Sequence, residues 1–280
     1  MRITAPASLL ERAGAAIEGR ARVDLATAIG LLLAFGCLVL SVCMEGGNLA
    51  AFVNVPAAVL VFGGTIGATI ICFPLSKILK LPAIARNAFL NRELNRAQMI
   101  DTMVGFAQKA RREGLLVLED DAARVDHALL RMGVELAVDG TPQERVRDIL
   151  TIEIDAMHER HRQGEELFAT MGAVSPKLGV IGTLIGVIHM LGAQTDPKQM
   201  GPALASAFIA TLYGVAFANL VALPIAAKLR ARGEEEAMFH QMILEGLMAI
   251  QSGDNPRAVE MKMRAFLSPE QKMATRAREA

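Results

Sequence analysis

Two prolines and two threonines are the residues of this 280-residue chain best suited to chemistry inside a membrane. Pro176 and Thr183 lie in one apolar stretch, and Thr211 and Pro224 lie in the next. A proline within a helix frees a backbone carbonyl and bends the helix, and in lipid the freed group needs a partner or a water-filled cavity. A threonine hydroxyl can bond to its own helix or supply a neutral oxygen to a hard cation. These four residues predict a polar, movable zone for ion passage and conformational coupling.

The apolar stretches of the sequence have no carboxylate in their interiors. Passage of protons or sodium through a bilayer usually depends on an ionisable residue at membrane depth. If this chain conducts cations, we therefore expect a second chain to supply the acid. The chain alone would then form half of a channel.

Two other patterns suggest different chemistry and are weaker. His158 and His161 flank Glu159 as in a zinc helix, but the zincin motif spaces its histidines four residues apart, and a solvated helix face is the better interpretation. The stretch FGGTIGATI has the glycines of a phosphate loop without its lysine. We also find no nucleophile elbow and no dinucleotide motif. The sequence thus predicts no catalytic residue, cofactor, metal site or nucleic-acid partner, and no enzymatic activity.

Hydrophobic residues make up 52% of the chain, and four blocks of the sequence are especially apolar. Each block is near or above the roughly 17–25 residues that cross a bilayer as a helix. The blocks cover residues 24–44, 57–73, 172–192 and 201–227. This pattern predicts an all-α polytopic membrane protein with four transmembrane helices and a helical cytoplasmic domain. The shortest block, 57–73, is also compatible with a buried soluble helix.

The positive charges predict the orientation of these helices. Lys and Arg residues precede the first block and follow the second and the fourth, whereas the two short connections between blocks contain one Lys. The positive-inside rule then places both termini and the middle segment in the cytoplasm. The predicted order is a basic cytoplasmic leader (1–22), a transmembrane hairpin (23–73), a cytoplasmic helical domain (74–169), a second hairpin (170–228) and a cytoplasmic helical tail (229–280).

Local signals predict where the long helices begin and end. Thr141 and Pro142 suit the cap and first position of a helix, and the helical pattern continues from there into the third block, with Pro176 as its next strong breaker. The helix of the fourth block continues inward to a turn at residues 253–256. Gly179, Gly182 and Gly186 have the spacing that allows close contact with another helix, either within one subunit or between subunits.

Taken together, these segments resemble the A subunit of the bacterial flagellar stator, the MotA/PomA family. GGNLAAFVNVPAAVLVFGGTIGAT resembles the family signature between the first two spans, and KARREGLLVLED its charged cytoplasmic segment. SPKLGVIGTLIGVI and ATLYGVAFANLVALPIAAKL resemble the third and fourth spans. The likeness covers residues 23–255, in order and with matching gaps.

The resemblance implies a stator in the bacterial inner membrane that converts cation flow into torque. Several copies would surround a dimer of a one-span, peptidoglycan-binding B-type partner, which would supply the ion-carrying aspartate. Pro176 and Pro224 match the functional prolines of the family. Arg111 and Glu119, with the adjacent Arg112, match the charges that engage the rotor switch protein. In one helix Arg112 and Glu119 would share a face, unless Gly114 ends that helix between them.

Two departures from the family pattern concern the ion. Ala173 stands where relatives often have an acidic residue, and Lys177 stands where they have a small or apolar one. These departures leave both protons and sodium open, although threonine oxygens favour sodium. The alternatives are an ion-driven energiser of outer-membrane processes, of the ExbB/TolQ type, and a membrane scaffold that conducts no ions.

Overall fold

The computed structural model describes residues 22–91, 94–125, 127–192 and 197–273. All but the last residue of the predicted basic leader (1–22), and the last seven residues of the predicted tail, lie outside the described residues. Helices make up most of the described chain, which confirms the all-α prediction. The described strands, β1 (Arg22–Val23) and β2 (Leu90–Asn91), have two residues each and pair with each other.

The described helices follow one another with short connections. They are α1 (Leu25–Met44), α2 (Val55–Cys72, with a π-turn at Val59–Gly63), α3 (Leu75–Ile78), α4 (Leu81–Phe89), α5 (Arg96–Glu113), α6 (Leu118–Arg124), α7 (Ala128–Val138), α8 (Gln143–Gly192), α9 (Pro197–Phe217), α10 (Leu223–Gln251) and α11 (Pro256–Arg264). A second π-turn, Ala218–Ala222, joins α9 to α10 without a break. Short 3-10 turns occur at Leu49–Phe52 and Leu115–Val117.

Three of these helical stretches are long and apolar enough to cross a membrane. They are α2, α8 and the stretch Met200–Gln251, and α1 contains a shorter apolar segment, Ile29–Met44. All four coincide with blocks predicted from the sequence. Large apolar side chains on them face outward, with Ile71 88% exposed and Leu32 75% exposed. Such exposure suits helices whose surroundings are hydrocarbon.

The ends of the helices follow local chemistry. Asp24 caps α1, because its carboxylate accepts a hydrogen bond from the Thr27 N–H at 3.3 Å. Helix α8 begins at Gln143 and runs unbroken through Pro176 for 50 residues, which confirms the predicted long helix. Helix α10 ends at Gln251, and Gly253 follows with a φ of +77°, as the turn signal predicts.

The described chain divides into two compact units. The apolar unit comprises residues 23–91 and 161–231, and the polar unit comprises residues 92–160 and 232–280 where they are described. Helices α3 and α4 group with the apolar unit, so this boundary falls later in the chain than residue 74. The polar unit combines the middle segment with the C-terminal segment.

The polar unit has a core of methionine and branched aliphatic side chains. Met99 and Met103 of α5, Leu150 of α8 and Leu247 of α10 are all fully buried in it. Polar bonds tie its parts of α8 and α10 together as well. Arg147 donates to Glu245 at 2.7 Å, and this hydrogen bond raises the pKa of Arg147 above its ordinary value.

A glycine of α7 allows the closest packing in the polar unit. A Cβ on Gly133 would collide with a methyl of Leu247 and lie 3.0 Å from a methyl of Leu150. A Cβ added to Gly105 of α5, in contrast, would have no atom from elsewhere in the described part of the chain within 4 Å.

We predict that Gly133→Ala destabilises the protein by about 1–3 kcal/mol, because overpacking forces core side chains out of their rotamers. Gly105→Ala is the matched control and should stabilise it by roughly 0.5–1 kcal/mol, since alanine favours helix more than glycine does. Thermal unfolding of the purified full chain in detergent measures both. Equal midpoints for the two variants would contradict the packing argument.

Candidate functional site

The candidate site lies in the apolar unit where α8 packs against α9. The three glycines predicted to allow close contact all face α9 of the same chain. A Cβ on Gly179 would lie 2.8 Å from the carbonyl oxygen of Ala210, and one on Gly186 would lie 2.6 Å from the Cβ of Ala207. Gly182 is equally constrained by Ala210. The glycine spacing therefore serves packing within the subunit, and we call this contact the α8–α9 interface.

The closest approach in this interface occurs beside Pro176. A Cβ on Gly214 would collide with the carbonyl oxygen of Ser175 and lie 3.1 Å from the Cα of Pro176. Ser175 is fully buried, and its hydroxyl donates a hydrogen bond to the Gly214 carbonyl at 3.1 Å. The backbone at the α8 proline is thus in direct contact with the backbone of α9. Pro176 therefore lies at a point where α8 and α9 constrain each other.

Thr183 and Thr211 are brought together within the α8–α9 interface. Their hydroxyl oxygens lie 2.5 Å apart. Each also lies 3.2 Å from the carbonyl oxygen of Gly179, and the Thr183 hydroxyl lies 3.2 Å from that of Ala207. The site is therefore a group of four neutral oxygens, two hydroxyls and two carbonyls. Neutral oxygens of this kind suit a hard cation, and in the arrangement seen here they bond to one another.

Pro224 lies two residues beyond the second π-turn. Proline cannot bond to the carbonyl four residues back, which here belongs to Leu220 within that turn. The wider turn accommodates this, and the N–H of Leu223 bonds five residues back to Ala218. Pro224 is exposed and lines a cavity of about 410 Å³ between α1, the end of α4 and this π-turn. Pro176, in contrast, is half-buried against α9.

An ion pair lies one helical turn beyond Pro224. Lys228 contacts Asp24 at 2.5 Å, and the Asp24 side chain is only 11% exposed. Since Asp24 also caps α1, this pair fixes the start of α1 to α10 immediately after the proline. The cavity is lined on both sides of Pro224, by Asn219, Leu220 and Val221 of the π-turn and by Ile225 and Lys228 beyond the proline.

The two positions that depart from the family pattern are both exposed. Ala173 and Lys177 lie on the outward side of α8, away from its contact with α9. The ammonium of Lys177 is therefore not part of the oxygen group, and it does not place a positive charge among those four atoms.

The predicted rotor charges lie in the polar unit, and all are exposed. Arg111 and Arg112 occupy the last turn of α5, and Glu119 the first turn of α6. Arg112 and Glu119 do not lie in one helix, because Gly114 adopts a φ of +88° and α5 ends at Glu113, which is the exception that the sequence left open. Each charge instead complements the dipole at its own helix end. Exposed Leu116 lies between the two charged turns.

Sequence reasoning missed Ser175, Gly214 and the Asp24–Lys228 pair. It also missed the contact of Tyr213 with the connection before α2, where its hydroxyl donates to the Phe52 carbonyl and accepts from the Asn54 N–H. The sequence offered one signal for the contact made by Gly214. This glycine lies three residues after Thr211 and therefore on the same helix face. The ion pair joins residues from opposite ends of the apolar unit's sequence and has no local signal.

Residues 121–242 match the MotA/TolQ/ExbB proton channel family, and residues 28–114 match the N-terminal region of motility protein A. The chain is thus a channel-type membrane protein, and it belongs to the motility protein A family of flagellar stator subunits. The match over residues 28–114 favours the stator over the ExbB/TolQ alternative.

Individual relatives are similar over most of their length. YtxD of Bacillus subtilis is 37% identical over 89% of this chain and 93% of its own length. Motility protein A of B. subtilis is 36% identical over 88% of this chain and 91% of its own. The flagellar MotAB stator complex of B. subtilis contains a chain with a TM-score of 0.83 and 34% identity, covering 89% of this chain and 98% of that one.

We predict that Gly214→Ala strongly reduces motility while the protein still inserts in the membrane. The added methyl would separate α8 from α9 at Pro176, the point where their backbones touch. Gly67→Ala in α2 is the matched control, since no atom from elsewhere in the described residues lies within 4 Å of the added Cβ. Swimming speed of cells that express each variant, at equal membrane levels, measures the effect. Normal swimming with Gly214→Ala would show that the close approach is dispensable.

Proposed function

We propose that this chain works as a stator subunit whose α8–α9 interface carries cations together with a B-type partner. The observation that carries the proposal is the group of four oxygens around Thr183 and Thr211. This group lies between α8, which contains Pro176, and α9, which continues into the helix that contains Pro224. The solved complex that resembles this chain is a MotAB assembly, which supports a partner subunit. In this proposal the partner supplies the ion-carrying aspartate and the attachment to peptidoglycan, and several copies of the chain surround it.

In the proposed topology, α1, α2, α8 and the α9–α10 stretch each cross the inner membrane. The apolar lengths of these helices and the basic residues at one set of ends support four crossings with both termini in the cytoplasm. The leader, the middle helical domain and the tail then share the cytoplasmic side. The polar unit, which combines the middle and C-terminal segments, is consistent with one cytoplasmic body.

The proposed coupling begins with a change of charge on the partner's carboxylate. At membrane depth a charged carboxylate without polar partners costs more free energy than a neutral carboxyl does. The oxygen group therefore interacts differently with the two forms. The bend at Pro176 changes in response, and the contact of Ser175 with Gly214 passes the change to α9. The π-turn before Pro224 absorbs it, because π-turns inside α-helices occur frequently at functional sites and its residues Asn219, Leu220 and Val221 border a cavity. Movement of α8 and α10 then displaces the rotor charges.

We predict that the chain alone does not conduct, because the apolar stretches of its sequence have no carboxylate in their interiors. Purified chain in liposomes should give a cation flux equal to that of empty liposomes, and the complex with its B-type partner should exceed both. Fluorescent pH and sodium indicators inside the vesicles measure the two ions separately. Selective current from the chain alone would overturn the half-channel proposal.

The ion is tested through Thr183. If sodium passes the oxygen group, we predict that Thr183→Ala abolishes most motility and shifts its sodium dependence, since a coordinating oxygen is lost. Thr183→Ser keeps the hydroxyl and is the matched control. If the ion is the proton, swimming of unmodified cells is the same in sodium-free and sodium-rich media. In that case the hydroxyl pair serves packing between α8 and α9.

The rotor contact is tested by charge reversal. We predict that Glu119→Lys reduces torque with normal insertion, because exposed charges steer and orient an interface. A compensating reversal on the rotor switch protein should restore part of the torque. Glu270→Lys, at another exposed glutamate, is the control and should swim normally. Full motility of both Glu119→Lys and Arg111→Glu would remove these positions from the mechanism.

A further inference from the structure

The segment that follows α2 carries positive charge only. The sequence contains no Asp or Glu between residues 46 and 92, whereas Lys77, Lys80 and Arg86 lie on or beside α3 and α4. In the described part of the chain, none of these three cations makes an ion pair or a hydrogen bond. Lys80 and Arg86 are exposed, and Lys77 is half-buried. We call Leu75, Leu79 and these three basic residues the α3–α4 surface.

The inner side of α4 is already occupied by the protein. Leu81, Ile84 and Ala85 pack against a cluster that includes Phe168 of α8 and Ala226 of α10. This contact leaves the opposite side of α4 outward, and Arg86 on that side is exposed. The apolar face of α4 thus serves folding and cannot also bind a ligand.

The outward side of α3 is apolar as well as basic. Leu75 is 58% exposed and Leu79 is 75% exposed, while Ile78 between them is buried. These leucines continue the exposed apolar surface of α2. That helix ends at Cys72, two residues before Pro74, and its Ile71 is 88% exposed. Exposure of leucine side chains to water is unfavourable, so this surface fits a ligand that contains hydrocarbon.

We propose that the α3–α4 surface binds anionic phospholipid. Such a lipid brings both required groups in one molecule, because its acyl chains cover Leu75 and Leu79 while its phosphate lies among the basic residues. Position supports this occupant, since the surface directly follows a helix that is long enough to cross a membrane. Basic residues beside membrane helices attract anionic headgroups by about 1 kcal/mol each, or roughly fivefold in local concentration. Binding of this kind would fix the chain against one leaflet independently of ion conduction.

The absence of tryptophan from the chain makes a direct test possible. Ser76→Trp places one reporter beside Lys77, and the protein is reconstituted in nanodiscs that contain phosphatidylglycerol and phosphatidylcholine. Either lipid is supplied with brominated acyl chains, which quench tryptophan on contact. We expect brominated phosphatidylglycerol to quench the tryptophan fluorescence at least about twofold more strongly than brominated phosphatidylcholine does at equal mole fraction. Because both faces of a nanodisc have the same composition, the result does not depend on topology.

Two controls isolate the charges. Neutralising Lys77, Lys80 and Arg86 to Gln should bring the ratio close to one, whereas changing both lysines to Arg should preserve it. Val53→Trp reports from an exposed site in a stretch with no Lys or Arg, and should show no preference. Equal quenching of the Ser76→Trp reporter by the two lipids, or a preference that survives neutralisation, overturns the proposal. Absence of quenching by either lipid also overturns it, because protein would then cover the surface.

Discussion

Backbone contact between α8 and α9 is the constraint on which the rest of the apolar unit depends. Helices in lipid gain little from the hydrophobic effect when they associate, so close van der Waals contact and interhelical hydrogen bonds must hold them together. Here Gly214 allows the Ser175 and Pro176 backbone to touch α9, and the Ser175 hydroxyl bonds across the contact. The same closeness brings Thr183 and Thr211 into bonding distance. The oxygen group is therefore a consequence of small residues a few turns along the same helices.

The two prolines have different surroundings, and this difference suggests different roles. Pro176 lies in an unbroken α-helix, and its backbone is in contact with that of α9, so packing constrains this part of α8. Pro224 follows a π-turn beside a cavity, and its far side is fixed to α1 through Lys228 and Asp24. Small shifts at a packed site become larger movements where the structure has two possible arrangements. The π-turn is the better candidate for such an element.

Sequence reasoning succeeded where the signal was local. The extent of α8 and the turn at Gly253 follow from periodicity, capping and glycine conformation, all of which act over a few residues. The spacing of Gly179, Gly182 and Gly186 indicated a close contact, but it could not name the partner helix, because spacing describes one helix at a time. Whether Arg112 and Glu119 share a helical face stayed open for a related reason, because it depended on the conformation of Gly114 between them. A single glycine with positive φ overrides helical periodicity.

The neutral composition of the α8–α9 interface explains why the ion-carrying acid in the proposed complex belongs to another chain. A carboxylate within this interface would be desolvated among glycine and alanine, and an unpaired buried charge is strongly unfavourable. It would also alter the helix contact each time it gained or lost a proton or a sodium ion. Hydroxyl and carbonyl oxygens avoid this cost because they satisfy one another when no ion is near, as Thr183, Thr211 and Gly179 do here. Separation of the acid from the helix contact lets the charge cycle while the contact that transmits its effect persists.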